Sequence, residues 1–417
     1  MQLSTVDAYE LSSPIEPPQE RRFQGGVRRL LKRDVVLVVA GTPDGEVGYA
    51  TAGASSSAMR EYFQGLAHEG VADLLEGPVA DAFADRELSD AGDVRDVVEG
   101  LDLPASLHSE VLSALDVAYH DLRGKRAGAS VADLLVAEHD APEPTRELPL
   151  YASAGMYMEP EGYAEQAAAV ADRGFAGYKF RPGIGPERDV RTLELVRERV
   201  GDEFAVMVDA HTWWKVRDGS YPPERVDELA RAFEAFDPFW LEEPVAPDDY
   251  AGYRRLADRA DVPLAGGESE ESPEGLLDLA RTGAVSFLQG DVRHHWGYTG
   301  CWEAVAYCAD PDRDVQFVPH HFGTHLGLVA NAHLTAAAPG AALLEYPVFG
   351  DDVAAMYPFP LAAELLATDL DLAGGRLRLP DGPGLGVEVD VDVVDRYPYV
   401  EGPWTEFRYD DESVDDG

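Results

Sequence analysis

The sequence predicts an α/β protein in which eight β-α units close a barrel and a smaller α+β domain precedes it. Three observations predict this. From Leu148 onward, short apolar stretches alternate with amphipathic helical ones, the rhythm of a parallel sheet covered by helices. The residues ending those apolar stretches lie near Ala154, Arg181, Asp209, Glu242, Glu268, Asp291, His320 and Glu345. Their gaps are 27, 28, 33, 26, 23, 29 and 25 residues, the repeat of one β-α unit, and eight such units close a barrel. Finally, 417 residues are too many for one ordinary core, and the first third lacks the barrel rhythm. An open doubly wound sheet is the competing architecture, but no Gly-x-Gly-x-x-Gly fingerprint follows a strand.

Residues 1–140 mix strand and helix signals. DVVLVVAGTPDGEVGYAT reads as two strands around a Pro-Asp-Gly turn, and Leu107 to Leu135 carries helical spacing with a Gly-Lys-Arg-Ala-Gly break. The proline- and charge-rich EHDAPEPTRE reads as a linker. The barrel is expected over 141–350. In it, PPERVDELARAFEAF places Val226, Leu229, Ala230 and Phe233 on one helical face. Residues 351–417 carry short strand-like pieces, expected to fold back on the first domain and to end in a solvated acidic tail, YDDESVDDG.

Charge excludes several function classes. Lys and Arg together number 34 against 78 Asp and Glu, a net charge of −44, and the lysines are only Lys32, Lys125, Lys179 and Lys215. Such an excess repels nucleic acid and anionic membranes, so neither is expected as a partner. The longest apolar run, Val35 to Ala40, is strand-sized, and the first residues lack the basic-then-apolar pattern of a secretory signal. A cytoplasmic protein is expected. In this balance the chain resembles cytosolic proteins of salt-loving archaea. Cys301 and Cys308, seven apart in a helical pattern, suit neither a zinc site nor a disulfide framework and are expected as buried small hydrophobes.

Against that acidic background a lone carboxylate means little. In a closed β-α barrel, however, chemistry sits where strands end. Asp209 in VMVDAH, Glu242 in FWLEEP and Glu268 in PLAGGES each follow an apolar run. Three carboxylates on consecutive strands repel one another unless a cation lies between them, and an all-oxygen set suits Mg²⁺. Lys179 and Arg181, two apart on a strand, share a face and are expected to bind or stabilise an anion. His211 repeats that spacing beside Asp209 and could transfer a proton there. Asp291 in SFLQGDV and His320 in VPHH end neighbouring strands. An Asp that orients a His makes a general base. His321 and His325 stand close enough to compete, while strand-end placement favours His320. Glu345 in LLEYP is expected as an acid partner near the substrate carboxylate. His294, His295 and His333 are assigned packing or loop roles.

Taken in order, KFR, VDAH, WLEEP, GGE, LQGDV, VPHH and LLEYP resemble the mandelate racemase subgroup of the enolase superfamily. SALDVAYHDLRGKRAGASVADLL is similar to a helical signature of its capping domain. The resemblance covers nearly the whole chain. It implies a modified TIM barrel topped by an α+β capping domain formed by the N-terminal region and the C-terminal segment. It also implies Mg²⁺ on Asp209, Glu242 and Glu268, an enediolate formed by loss of the proton α to a carboxylate, and a homo-oligomer.

Two departures from the family pattern narrow the reaction. Racemases of this group carry Lys-x-Lys after the second strand, where this chain has Arg181, a poor base. Cycloisomerases carry Lys on the sixth strand, where Asp291 and Arg293 stand. Dehydration of a sugar acid remains, and His211 resembles the acid of mannonate- and galactonate-type dehydratases. The expected reaction is Mg²⁺-dependent conversion of an aldonate to its 2-keto-3-deoxy acid. His320 with Asp291 is the expected base and His211 the expected acid, or His320 performs both steps. A racemase or epimerase on the same metal site is the alternative, and a catalytically silent binding protein of this fold is the rival from another class. Substrate selection is expected from the loops around 20–29 and 51–60 and from Trp213 and Trp214, while Arg21, Arg22, Arg28 and Arg29 suit either a polyhydroxy anion or a plain surface patch.

Overall fold

The computed structural model describes residues 1–52, 62–63, 77–84, 86–215, 220–341 and 343–410. The chain opens with a long antiparallel pair, β1 (Thr5–Phe23) and β2 (Gly26–Gly41), registered from Thr5 opposite Gly41 to Phe23 opposite Gly26. The 20–29 segment is therefore mostly the tip of this hairpin rather than a loop. β3 (Val47–Ala52) returns along β2 after the predicted Pro-Asp-Gly turn, in which Gly45 adopts φ +90°. Residues 53–60 of the second specificity loop lie outside the described residues.

The helix Ala105–Ala127 packs on this sheet so closely that a Cβ at Gly48 would lie 2.2 Å from the Ala118 carbonyl oxygen. It ends at Gly128, φ +64°, a left-handed C-cap. Ser130 then caps the next helix, Val131–His139. This is the break read from the glycines.

Eight parallel strands follow: β4 (Glu147–Met156), β5 (Gly177–Arg181), β6 (Ala205–Asp209), β7 (Trp240–Glu242), β8 (Leu264–Gly266), β9 (Phe287–Leu288), β10 (Gln316–Phe317) and β11 (Leu344–Pro347). Their lateral order is β10-β9-β8-β7-β6-β5-β4-β11, so the first strand lies beside the last and the sheet curls into a barrel. Between β10 and β11 the backbone N–H of His321 donates to Glu345 Oε2 at 3.0 Å. Helices fill the connections. Pro223–Phe233 buries Val226, Leu229, Ala230 and Phe233, the face its spacing predicts. Inside the barrel, Tyr151, Met207, Trp240, Ala265 and Val318 form an apolar plug. The carboxylate ends of β6 and β7 stand above it.

The chain then crosses back. β12 (Leu372–Ala373) and β13 (Arg376–Arg378) form a hairpin antiparallel to the start of β4, and β14 (Thr405–Tyr409) pairs with β2 from Leu30 to Gly26. The C-terminal segment thus joins the first sheet. Residues 411–417, most of the acidic tail, lie outside the described residues. Among the described residues no helix is long and apolar enough to cross a membrane.

Candidate active site and metal centre

The barrel mouth and the first sheet enclose a cavity of about 870 Å³, whose wall includes Arg181, His211, Glu268 and His320. Asp209 and Glu242 are the last residues of β6 and β7, whereas Glu268, Asp291 and His320 lie two or three residues beyond β8, β9 and β10. One carboxylate oxygen each from Asp209, Glu242 and Glu268 lies within 4.8 Å of the others. All three side chains are nearly inaccessible. Three mutually repelling carboxylates whose oxygens converge on one point fit a hard divalent cation such as Mg²⁺.

Cations brace this cluster from outside. Arg181 Nε donates to Asp209 Oδ2 at 2.9 Å, and His211 Nδ1 lies 2.8 Å from Asp209 Oδ1. Burial alone would raise the Asp209 pKa, but His211 and Arg181 hold it well below the usual carboxylate range. Burial raises Glu242, and Lys179 opposes it through a 2.6 Å contact. Trp240 Nε1 and Gln289 Nε2 donate to Glu242 Oε2 at 2.8 and 2.9 Å, fixing the carboxylate plane.

His320 bridges two carboxylates. Its Nδ1 is 3.1 Å from Asp291 Oδ2, and its Nε2 is 3.0 Å from Glu268 Oε2. Burial lowers its pKa, but Glu268 and Asp291 together raise it above the ordinary value. Asp291 is itself held by the Arg293 guanidinium and by Asn331 Nδ2 at 2.9 Å. His321 is buried with neither ring nitrogen hydrogen-bonded, and His325 Nε2 meets the Tyr346 hydroxyl at 3.3 Å. Of the three neighbouring imidazoles, His320 is therefore the one paired with Asp291 and set in the cavity wall.

Arg181 and the following loop are braced from below. Asp189, in the first turn of the helix Pro186–Val200, accepts from the backbone N–H groups of Gly183 and Ile184 at 2.9 and 3.0 Å.

Three side chains singled out from the sequence lie behind the cavity wall. Glu345 stands beneath the cavity rather than in its wall. As the second residue of β11 it points into the barrel, where Lys179 Nζ lies 2.9 Å away and the Tyr151 hydroxyl donates at 3.1 Å. Lys179, 1% exposed between Glu242 and Glu345, likewise has no face toward the cavity. It is the shared counter-charge of both carboxylates. Trp213 is buried against Tyr221 and Phe233, because its short helix Thr212–Lys215 turns Thr212 and Lys215 toward the cavity instead. Trp214 donates to the Glu243 carbonyl at 2.8 Å.

The structure also adds residues. His294, expected to pack, reaches the wall and pairs with Glu110 at 2.6 Å, whereas His295 and His333 are buried as expected. Gln289, Asn331 and Arg293 donate to the carboxylates, and Glu243 accepts from the backbone N–H and hydroxyl of Ser269, the residue after Glu268. Glu243 carries the clearest trace, a second Glu in WLEEP held at φ +41°. Cys301 and Cys308 are free, the first buried and the second half-buried.

Comparison with known proteins agrees with this geometry. The family described as enolase C-terminal domain-like matches residues 162–393, more than half the chain. D-galactarolactone cycloisomerase of Agrobacterium fabrum is 27% identical over 424 residues, spanning 99% of this chain and 100% of that protein. L-rhamnonate dehydratase of Saccharopolyspora erythraea is 30% identical over 299 residues, 69% of this chain and 68% of that one. A solved enolase-superfamily member from Polaromonas sp. JS666 superposes with a TM-score of 0.77 at 26% identity, over 97% of this chain and 99% of its own. A racemase from Streptomyces coelicolor A3(2), solved with bound magnesium, shares the fold at a TM-score of 0.74 and 21% identity, over 95% and 99%. The chain belongs to the enolase superfamily, with a C-terminal domain of the mandelate racemase/muconate lactonizing enzyme type.

Proposed function

We propose that this enzyme is a Mg²⁺-dependent hydro-lyase that removes water from a sugar acid of the aldonate class to give a 2-keto-3-deoxy acid. The observation that carries the reading is a pair of imidazoles on one carboxylate. His320 Nε2 lies 3.0 Å and His211 Nδ1 3.9 Å from opposite oxygens of Glu268, and both rings line the cavity. A base for the α proton and an acid for the β-hydroxyl would thus face one substrate.

In this mechanism Asp209, Glu242 and Glu268 hold the cation. When bound, it supplies positive charge against the substrate carboxylate and the negative charge that develops there. Asp291 fixes the His320 ring, with Arg293 and Asn331 fixing Asp291 in turn, so that Nε2 is presented to the α proton. His211 gives a proton to the departing hydroxyl. Arg181, whose guanidinium stays protonated, orients the anion and leaves the opposite face without a base. That arrangement favours elimination over racemisation.

The activities of the relatives support an acid-sugar substrate, since they include L-rhamnonate and D-xylonate dehydratases. A second reading is a cycloisomerase, favoured by the end-to-end match to D-galactarolactone cycloisomerase. Assay of an aldonate and aldarolactone library with Mg²⁺, at low and at molar KCl, separates the two. Release of 2-keto-3-deoxy acid from an open-chain acid supports the hydro-lyase. Turnover of lactones alone overturns it.

A further inference from the structure

The cavity has a second charged wall that the proposed chemistry does not use. It comes from β2 and the C-terminal segment and presents Arg28 and Arg33. In a chain with 78 acidic residues against 34 basic ones, an arginine without a carboxylate is unexpected. The other arginines of this cavity follow the usual pattern: Arg181 pairs with Asp209 and Arg293 with Asp291. Arg22 and Arg29, neighbours of Arg28 in sequence, turn outward and pair with Asp410 and Glu406.

Arg28 differs from these. It is 9% exposed, and its contacts are all neutral: Thr405 Oγ1 at 3.2 Å, Met156 Sδ at 3.5 Å, and the rings of Trp404 and Phe407 at 5.1 and 5.5 Å. The Arg33 guanidinium lies 4.8 Å from the same Trp404 ring and 5.3 Å from Phe322, and its Nε is buried without a hydrogen bond. Among the described residues no carboxylate pairs with either. The one nearby acid in the wall, Asp34, is already held by Lys32 at 3.0 Å and Ser12 at 2.7 Å.

A buried guanidinium and a half-buried one sharing one indole, with no counter-ion, are costly in the protein alone, because burial strips hydration and like charges repel. Burial, with Arg181 and Arg33 nearby, disfavours the charged form of Arg28, although a guanidinium does not give up its proton. An anion delivered by the ligand relieves both costs. The planar fork of Arg matches a carboxylate or phosphate in two parallel hydrogen bonds, and the surrounding rings exclude the water that would screen them.

We propose that Arg28 and Arg33 form a distal anion subsite, and that the preferred substrate is a sugar acid carrying a second anionic group at the end away from the metal carboxylates. This rests on the sugar-acid reading of the site. It refines the substrate from a simple aldonate to a doubly anionic acid.

The test is calorimetric binding to the full chain loaded with Mg²⁺, using matched sets. Galactonate is paired with galactarate, mannonate with mannarate, and gluconate with both glucarate and 6-phosphogluconate. In at least one configuration the doubly anionic member should bind about tenfold tighter or more, the usual yield of a desolvated charge-assisted contact. The glucarate and phosphogluconate arms tell carboxylate from phosphate. Arg28→Gln and Arg33→Gln should each bring the ratio of the two affinities toward one. Equal affinities in every set, no binding of any doubly anionic acid, or a ratio preserved in both variants would overturn the subsite. If Arg28→Gln does not fold, Arg33→Gln, whose side chain is only partly buried, decides. The dehydration reading fails by a different result, in which acids bind and no 2-keto-3-deoxy product appears.

Discussion

His320 Nδ1 lies 3.1 Å from Asp291 Oδ2 while its Nε2 reaches toward Glu268, so one imidazole couples a buried carboxylate on one side to the metal cluster on the other. Removing it tests the assignment of the base. His320→Asn should lower kcat by about 10²–10⁴, the usual contribution of a general base, and leave the Mg²⁺ dependence of thermal stability in place. Retention of kcat within a few-fold would move the base to another residue.

The three-carboxylate cluster predicts a strong link between metal and stability. Mg²⁺ at about 100 times its dissociation constant should raise the folding free energy by about 2.7 kcal/mol, read as an increase in Tm that a chelator reverses. Glu242→Gln should weaken that response, because one of the three converging ligands is gone. A Tm indifferent to Mg²⁺ would remove the metal from the site.

On the proposed mechanism, Arg181 occupies the face on which racemisation would need a second base. Partial turnover in D₂O should return unreacted substrate with its C2 configuration intact. Arg181→Lys, which restores an amine able to exchange a proton, should allow deuterium at C2 of the recovered acid. Epimerised substrate from the wild-type enzyme would favour the racemase alternative instead.

Asp189 predicts a pH signature away from the metal. Burial pushes its pKa up to about 7, against the pull of the Gly183 and Ile184 N–H groups. An unfolded Asp titrates near 3.8, so between about pH 4 and 7 the folded chain holds a proton that the unfolded chain has released. Stability from this group therefore falls as pH rises through that window, by at most about 1.4 kcal/mol per unit. Urea midpoints for Asp189→Asn should show a flatter profile over that range. Parallel profiles would mean that Asp189 is ionised throughout.

Legibility in the sequence followed the locality of the cause. The barrel was readable because each β-α unit repeats within a few tens of residues. Asp209 and Glu242 were readable because a strand end fixes the direction of its last side chain. The depth of Glu345 is not legible, because strand phase shows which way a residue points but not how far down the barrel it sits, one position into β11. Trp213 was misread because the turn of Thr212–Lys215, not its distance from Asp209, sets which side faces the cavity. The role of Arg33 and Trp404 left no local trace. They meet only because β14 pairs with β2 across nearly the full length of the chain.

That pairing has a consequence for how the protein is made. On a ribosome, the Gly26–Leu30 edge of β2 emerges early and must remain unpaired until Thr405–Tyr409 has been synthesised. Until then it is an open sheet edge, the kind of surface on which nascent chains stick to one another. Arg28 and Arg29 at that edge, charged and without their final neighbours, would keep it soluble during the wait.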